Sequence, residues 1–228
     1  MHGKVQIVWY KSVDSTNIEL RRRLDSACNM FVIAAESQTA GRGQGSHTWS
    51  SETGKNLTFS ILLRFAEKTP LRAAEAKRIT HAATLAVVDY LASEGIEARI
   101  KWPNDVWVGD RKICGMLIEN ILDGDFVACS IVGIGLNLNQ TEFDPALPNP
   151  VSMKGLTGRD YPLKASLERL CGIFAAKAAI LDTVDGRDSL EREFNSKVFT
   201  LDERRQAELE ESIRLFEELR SQRRDPAL

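Results

Sequence analysis

The sequence predicts an α+β domain, a mixed β-sheet backed by helices. Three observations carry this. Apolar residues alternate with polar ones over short runs between turn signals, which is the period of half-buried strands. Two longer segments, 79–90 and 167–178, repeat their apolar residues at helical spacing instead. The chain of 228 residues is 43% hydrophobic and 27% charged, a balance that lets one globular domain bury a good core.

In chain order, Val5 to Tyr10 reads as the first strand. Asp14-Ser15-Thr16-Asn17 is rich in capping residues and leads into a helix from about Asn17 to Ala27, with Ile18, Leu20 and Leu24 set against three consecutive arginines. Phe31 to Ala35 is a short strand. Residues 36–51 form a long loop with Gly41, Gly43 and Gly45, and loops of this length inside a compact domain are usually either functional or disordered. Asn56 to Arg64 is a strand with Leu57, Phe59, Ile61 and Leu63 on one face. Thr69-Pro70 suits the N-cap and first position of a helix that carries Ile79, Ala82, Ala83, Ala86, Val87 and Tyr90 and ends at Gly95. His81 lies off that stripe and reads as a surface histidine.

Ile96, Ala98 and Ile100 alternate as a strand. Pro103 has no amide donor and biases Trp102 toward extended backbone, so the strand breaks and Asn104 and Asp105 stand at the corner. Residues 106–118 read as a hairpin about Gly109-Asp110, and Asp123-Gly124 is a second hairpin turn. Phe126 to Ile134 is apolar enough for the centre of a sheet and runs into Gly133-Ile134-Gly135-Leu136-Asn137. Residues 141–162, with Pro145, Pro148, Pro150 and Pro162, read as irregular surface chain. Leu167, Leu170, Cys171, Phe174, Ala175 and Ala178 mark a buried helix face, and a shorter helix covers about Ser189 to Val198. The domain reading is therefore 1–200 for the folded domain. Residues 201–228, with eight acidic and six basic side chains from Asp202 onward, read as a charged amphipathic helix with a narrow stripe of Leu209, Ile213, Phe216 and Leu219.

A net charge of −2 excludes a strongly basic field for nucleic acid or an anionic membrane. Four scattered cysteines without metal or redox spacing point to reduced thiols and a cytoplasmic protein. No apolar run has membrane-spanning length, and residues 1–6 lack the apolar core of a signal peptide.

The loop 38–49 has the composition of an anion cradle: glycines turn amides toward a ligand and Arg42 can pair with phosphate or carboxylate. Lys112 offers a fixed positive charge at the mouth of a hairpin strand, and Gly115 allows close approach to the backbone.

Four blocks then stand together. They are Asp14-Ser15-Thr16-Asn17, Gln38-x-Ala40-Gly41-Arg42-Gly43 through Trp49, Lys101-Trp102-Pro103-Asn104-Asp105 to Lys112-x-x-Gly115, and Gly133-x-Gly135-x-Asn137. In this order they resemble the biotin protein ligases over about residues 5–199. The resemblance implies the biotin/lipoate ligase fold, related to class II synthetases. It implies an enzyme that joins biotin to ATP as biotinyl-5′-AMP, with Mg2+ on the ATP phosphates, and passes biotin to a lysine of a biotin carboxyl carrier domain.

It assigns catalysis to Lys112, Arg42, Asp105 and Lys101. Biotin falls to Ser15, Thr16, Asn17, Gln38, Gly41, Arg42, Gly43, Gln44, Lys112 and Gly115. ATP falls to Arg42, Gln44, Trp49, Lys101, Asn104, Asp105, Lys112, Gly135 and Asn137. Three departures stand out. Gln44-Gly45-Ser46-His47-Thr48 replaces the basic run of many members; the helix-turn-helix of repressor members is not expected; and residues 202–228 lack the strand pattern of the usual small C-terminal barrel. The expected partner is the carrier domain, with no nucleic acid and no membrane, for a monomer or weak homodimer. Rival readings are a lipoate or octanoate ligase or transferase on the same fold, and a non-catalytic protein that binds biotinyl-AMP.

Overall fold

The computed structural model describes residues 5–45, 47–65, 69–144, 147 and 149–199. The chain divides into two compact units, Met1–Val198 and Phe199–Leu228, and the charged segment 202–228 lies outside the described residues.

Seven strands form one sheet: β1 (Gln6–Val13), β2 (Phe31–Gln38), β3 (Leu57–Arg64), β4 (Arg99–Lys101), β5 (Asp105–Val108), β6 (Arg111–Asp123) and β7 (Phe126–Leu136). Their order is β1-β2-β3-β7-β6-β5-β4. Only β1 and β2 run parallel, and a parallel pair needs a crossover, here carrying helix α1 (Thr16–Arg22). The predicted hairpins are present, with Gly109 at φ 59 and Gly124 at φ 55, a region that glycine enters without a Cβ penalty. The apolar run 126–134 forms β7, the central strand.

Strand alternation gives the sheet two unlike faces. Leu57, Phe59, Ile61 and Leu63, with Cys114, Met116, Val132, Ile134 and Leu136, face the large core. That core is closed by α2 (Lys77–Ser93), α4 (Leu163–Ala179) and α5 (Val184–Lys197). On the other face only one end is apolar, where Leu20 of α1 packs with Ile33, Leu62 and Ile131. The rest of that face carries Ser60, Gly133, Gly135, Gly115 and Glu119, which cannot make an apolar core, so it remains for a ligand and the loop after β2.

Four expectations are corrected. Thr69-Pro70 does not open a helix: Arg187 donates to both carbonyls, at 3.3 and 3.0 Å, and Val127 N donates to Leu71 O at 2.8 Å. These bonds hold 69–71 outside any helix, a 3-10 turn follows at Ala73–Glu75, and α2 starts at Lys77. His81 is buried, because α5 covers that side of α2 and stacks Phe194 on its ring at 3.9 Å. Residues 141–162 are not all surface chain: Val151, Ser152 and Met153 are buried, and Ser152 caps a short helix α3 (Met153–Thr157) by accepting from Gly155 N. Finally, α1 ends at Arg22 while α5 begins at Val184, where Thr183 caps it. Among the described residues no helix is long and apolar enough to cross a membrane.

Candidate functional site

The N-terminus of α1 brings Ser15, Thr16 and Asn17 under the sheet, and all three are buried. Ser15 N donates to Asp14 Oδ1 at 2.8 Å. Gln38 Oε1 accepts from Thr16 N at 2.8 Å and from Thr16 Oγ1 at 3.1 Å. The Ser60 hydroxyl lies 2.6 Å from Asn17 Oδ1 and 2.8 Å from Thr16 Oγ1. With its oxygen so occupied, the Asn17 amide donates to Glu119 Oε2 at 2.8 Å and to Leu117 O at 3.3 Å. Gly133 makes room for this, since a Cβ there would fall 2.2 Å from Asn17 Oδ1. Ser60 and Glu119 were missed by sequence reasoning. Ser60 had a visible signal, as a polar residue inside the otherwise apolar run 59–63, while Glu119 had none beyond closing the Lys101–Glu119 block.

The loop after β2 folds back on itself. Trp49 N donates to Gly41 O at 3.0 Å, Gly43 N donates to His47 O at 2.8 Å, and Arg42 bridges Thr48. Gly41 is required here, because a Cβ would sit 2.2 Å from Trp49 O. This fold lays the Trp49 indole flat over Gly115 and Gly135, which stand opposite each other in β6 and β7. A Cβ on Gly135 would lie 2.2 Å from Trp49 Cε2, and one on Gly115 3.1 Å from Trp49 Cζ3. The indole N–H is buried without a partner among the described residues. An unpaired buried donor costs about 1–3 kcal/mol, so an acceptor brought by a ligand would stabilise the loop.

At the far end of the same strands, Lys112 Nζ contacts Asp105 Oδ1 at 2.7 Å, with both side chains partly exposed. The Lys112 ammonium also lies 3.1 Å from the point where a Gly115 Cβ would stand. Lys112 and the Trp49 ring thus meet over one glycine. Cys114 beside them is wholly buried, and burial pushes its thiol far above the usual range, so it is a packing residue and not a nucleophile.

The remaining residues assigned from the sequence are not all gathered here. Arg42 pairs with Glu119 at 3.2 Å, a different carboxylate from the Asp105 that holds Lys112. Gly115 and Glu119 are four residues apart on β6, about 13 Å along a strand, so the glycine beside the Lys112 ammonium and the residue that holds Arg42 are well separated on this face. Lys101 holds its ammonium 4.4 Å from the Trp107 ring centre. Asn104 Nδ2 donates to Met116 O at 2.6 Å, and the buried Asn137 donates to Val151 O at 3.0 Å. Gln44 is exposed, and its carbonyl accepts from His47 N. Among the described residues no three His, Cys, Asp or Glu side chains gather as a metal site.

One floor of paired glycines therefore joins a buried hydrogen-bonding cluster to a lysine–carboxylate pair. Residues 9–137, which hold nearly all of this site, match the biotin/lipoate A/B protein ligase family. The bifunctional ligase/repressor BirA of Bacillus spizizenii is 39% identical over 117 residues, 50% of this chain and 34% of that protein. The chain thus spans about a third of the length of that relative and of its Bacillus subtilis counterpart. The biotin–[acetyl-CoA-carboxylase] ligase of Paracoccus denitrificans is 34% identical over 177 residues, 75% of this chain and 72% of that one. The solved structure of the biotin protein ligase from Aquifex aeolicus in complex with biotin and ATP superposes with a TM-score of 0.72 at 27% identity, covering 86% of this chain and 79% of that one. On sequence and fold together, the chain belongs to the biotin/lipoate A/B protein ligase family.

Proposed function

We propose that this protein is an ATP-dependent biotin ligase, which forms biotinyl-5′-AMP and transfers biotin to a lysine of a biotin carboxyl carrier domain. The observation that carries this is one sheet face with a buried amide and hydroxyl cluster at one end and the Lys112–Asp105 pair at the other. The names and bound ligands of the relatives support biotin over lipoate or octanoate.

In the first step a biotin carboxylate oxygen bonds to the α-phosphorus and the bond to pyrophosphate breaks. Lys112 neutralises charge on the α-phosphoryl oxygens, and magnesium enters with the triphosphate. In the second step the carrier lysine's amine bonds to the acyl carbon, the bond to AMP breaks, and the amine proton passes to Asp105. The 2.7 Å pair supplies an electrophilic cation and a proton acceptor side by side. Thr16, Asn17 and Gln38 read the ureido head, and a ligand without matching groups would gain nothing from displacing their mutual hydrogen bonds. Arg42 exchanges Glu119 for the ligand's phosphate as the loop closes, which keeps water from the mixed anhydride.

The test is pyrophosphate release from ATP with biotin, lipoate or octanoate, followed by mass spectrometry of a purified biotin carrier domain. Release with biotin alone, and one biotinyl group added to one lysine, is expected. Equal release with lipoate or octanoate, or none with any acid, overturns the proposal.

A further inference from the structure

The consecutive arginines Arg21, Arg22 and Arg23 at the end of α1 go to different partners. Arg22 pairs with Asp14 at 2.6 Å and with Glu19 at 3.3 Å, and Arg23 pairs with Glu19 at 2.9 Å. Those acids lie on α1 or just before it, so these pairs fasten the helix to its own entry. Arg21 instead reaches across to β6. Its guanidinium lies 3.5 Å from Glu119 Oε1, and among the described residues this is its one ion pair.

Glu119 Oε1 is also the oxygen that Arg42 holds at 3.2 Å. The other oxygen, Oε2, accepts from the Asn17 amide at 2.8 Å. The Glu119 side chain is 19% exposed while both arginine side chains are 46% exposed, so the acid is the fixed party and the arginines are the movable ones. Arg42 donates a hydrogen bond, and Arg21 stands just outside that range. Two cations at one oxygen repel each other, and a single carboxylate cannot neutralise both. If Arg42 left, a largely buried carboxylate without a cation would be costly, and Arg21 is already beside it.

We propose that Arg21 is a positioning residue for the nucleotide step: it weakens the hold of Glu119 on Arg42 and takes over the carboxylate when Arg42 moves to the ligand's phosphate. The inference rests on the reading that Arg42 makes that move. While Arg42 is held, the site is only partly competent for the nucleotide, and apparent affinity falls with the competent fraction. A half-exposed pair is weak, so the shift is a few-fold. Asn17 keeps its acceptor throughout, because it uses the other oxygen. The cluster that reads biotin is therefore insulated from the exchange.

The full chain carrying Arg21→Gln is compared with wild type and with Arg21→Lys, which keeps the charge. KM for ATP is measured by pyrophosphate release at saturating biotin, and biotin affinity by calorimetry. We expect Arg21→Gln to raise KM for ATP about threefold, with kcat and biotin affinity unmoved and Arg21→Lys close to wild type. A KM for ATP that does not rise in Arg21→Gln overturns the proposal. So does an equal rise in Arg21→Lys, since packing and not charge would then be at work. Glu119→Gln keeps an acceptor for Asn17 but removes the charge that holds Arg42, so Arg21→Gln should add nothing on that background. The same rise there would mean that Arg21 acts elsewhere than through Glu119, and the proposal fails. Arg42→Ala tests the reading beneath it: an unchanged KM for ATP in that variant would show that Arg42 does not meet the phosphate.

Discussion

Lys112 and Asp105 face each other at 2.7 Å across β5 and β6, so in the proposed reaction the charge meant for the phosphoryl group is already held in place. Lys112→Ala removes one charge-assisted contact, worth about 3 kcal/mol or about a hundredfold in rate. We expect pyrophosphate release to fall by that much with the melting temperature unchanged; near-normal turnover would take Lys112 out of the chemistry. These two residues were legible because their spacing sits in a short hairpin, where register follows from the turn. His81 was misread for the opposite reason: its neighbour Phe194 is more than a hundred residues away, beyond any periodicity on α2. Burial pulls the His81 pKa from 6.5 down to about 4, with Glu191 opposing and Lys77 and Arg78 adding to the shift. Between these values the unfolded chain binds more protons than the folded one, so stability is complete above pH 6.5 and drains away as pH falls toward 4. The full effect is about 3 kcal/mol. Urea midpoints measured from pH 4.5 to 7 should fall more steeply on acidification for wild type than for His81→Leu. Parallel curves would show that the ring titrates normally.

The glycines of β6 and β7 work as a pair of strands, and each predicts a different failure. A Cβ at Gly133 would lie 2.2 Å from Asn17 Oδ1, and Asn17 has nowhere to go because Ser60 and Glu119 hold both ends of its amide. Gly133→Ala should therefore raise KM for biotin by about tenfold or more, with a smaller change in kcat at saturating biotin. A Cβ at Gly135 would meet the Trp49 ring equally closely, but that ring rides on a loop whose Arg42 side chain is held to the sheet by a half-exposed ion pair. Such a pair contributes about 0–1 kcal/mol, so the indole should swing out at little cost. We expect Gly135→Ala to red-shift tryptophan emission of the ligand-free protein and to leave its melting temperature nearly unchanged; an unshifted spectrum would mean the indole does not lie on this floor. The strands and turns were readable from alternation and from glycine at left-handed turns. The placement of Trp49 was not, because it depends on two glycines that become neighbours only when β6 and β7 pair.

For the whole molecule, alternation foretold a sheet with one apolar face and the Asp123-Gly124 turn foretold β6 beside β7, but not β7 beside β3, since pairing between strands distant in sequence leaves no local mark. Among the described residues, the buried clusters draw their members from Val5 to Val198. Val198 forms a parallel bridge to Ile100, and Phe194 just before it covers His81. A cut after Asp202 spares both, whereas a cut before Phe194 opens the core over α2. We therefore expect the chain of residues 1–202 to fold cooperatively, with a melting temperature within about 4 °C of the full chain, the shift that about 1 kcal/mol produces in a domain of this size. Its biotin affinity, measured by calorimetry, should match, because Ser15, Thr16, Asn17, Gln38 and Ser60 all lie in the retained unit. A drop of more than about 10 °C, several kcal/mol at this size, would mean that residues 203–228 belong to the core, and the stripe Leu209, Ile213, Phe216 and Leu219 would then be its buried face. Equal stability with lost biotin binding would place the deleted segment's role at the site instead.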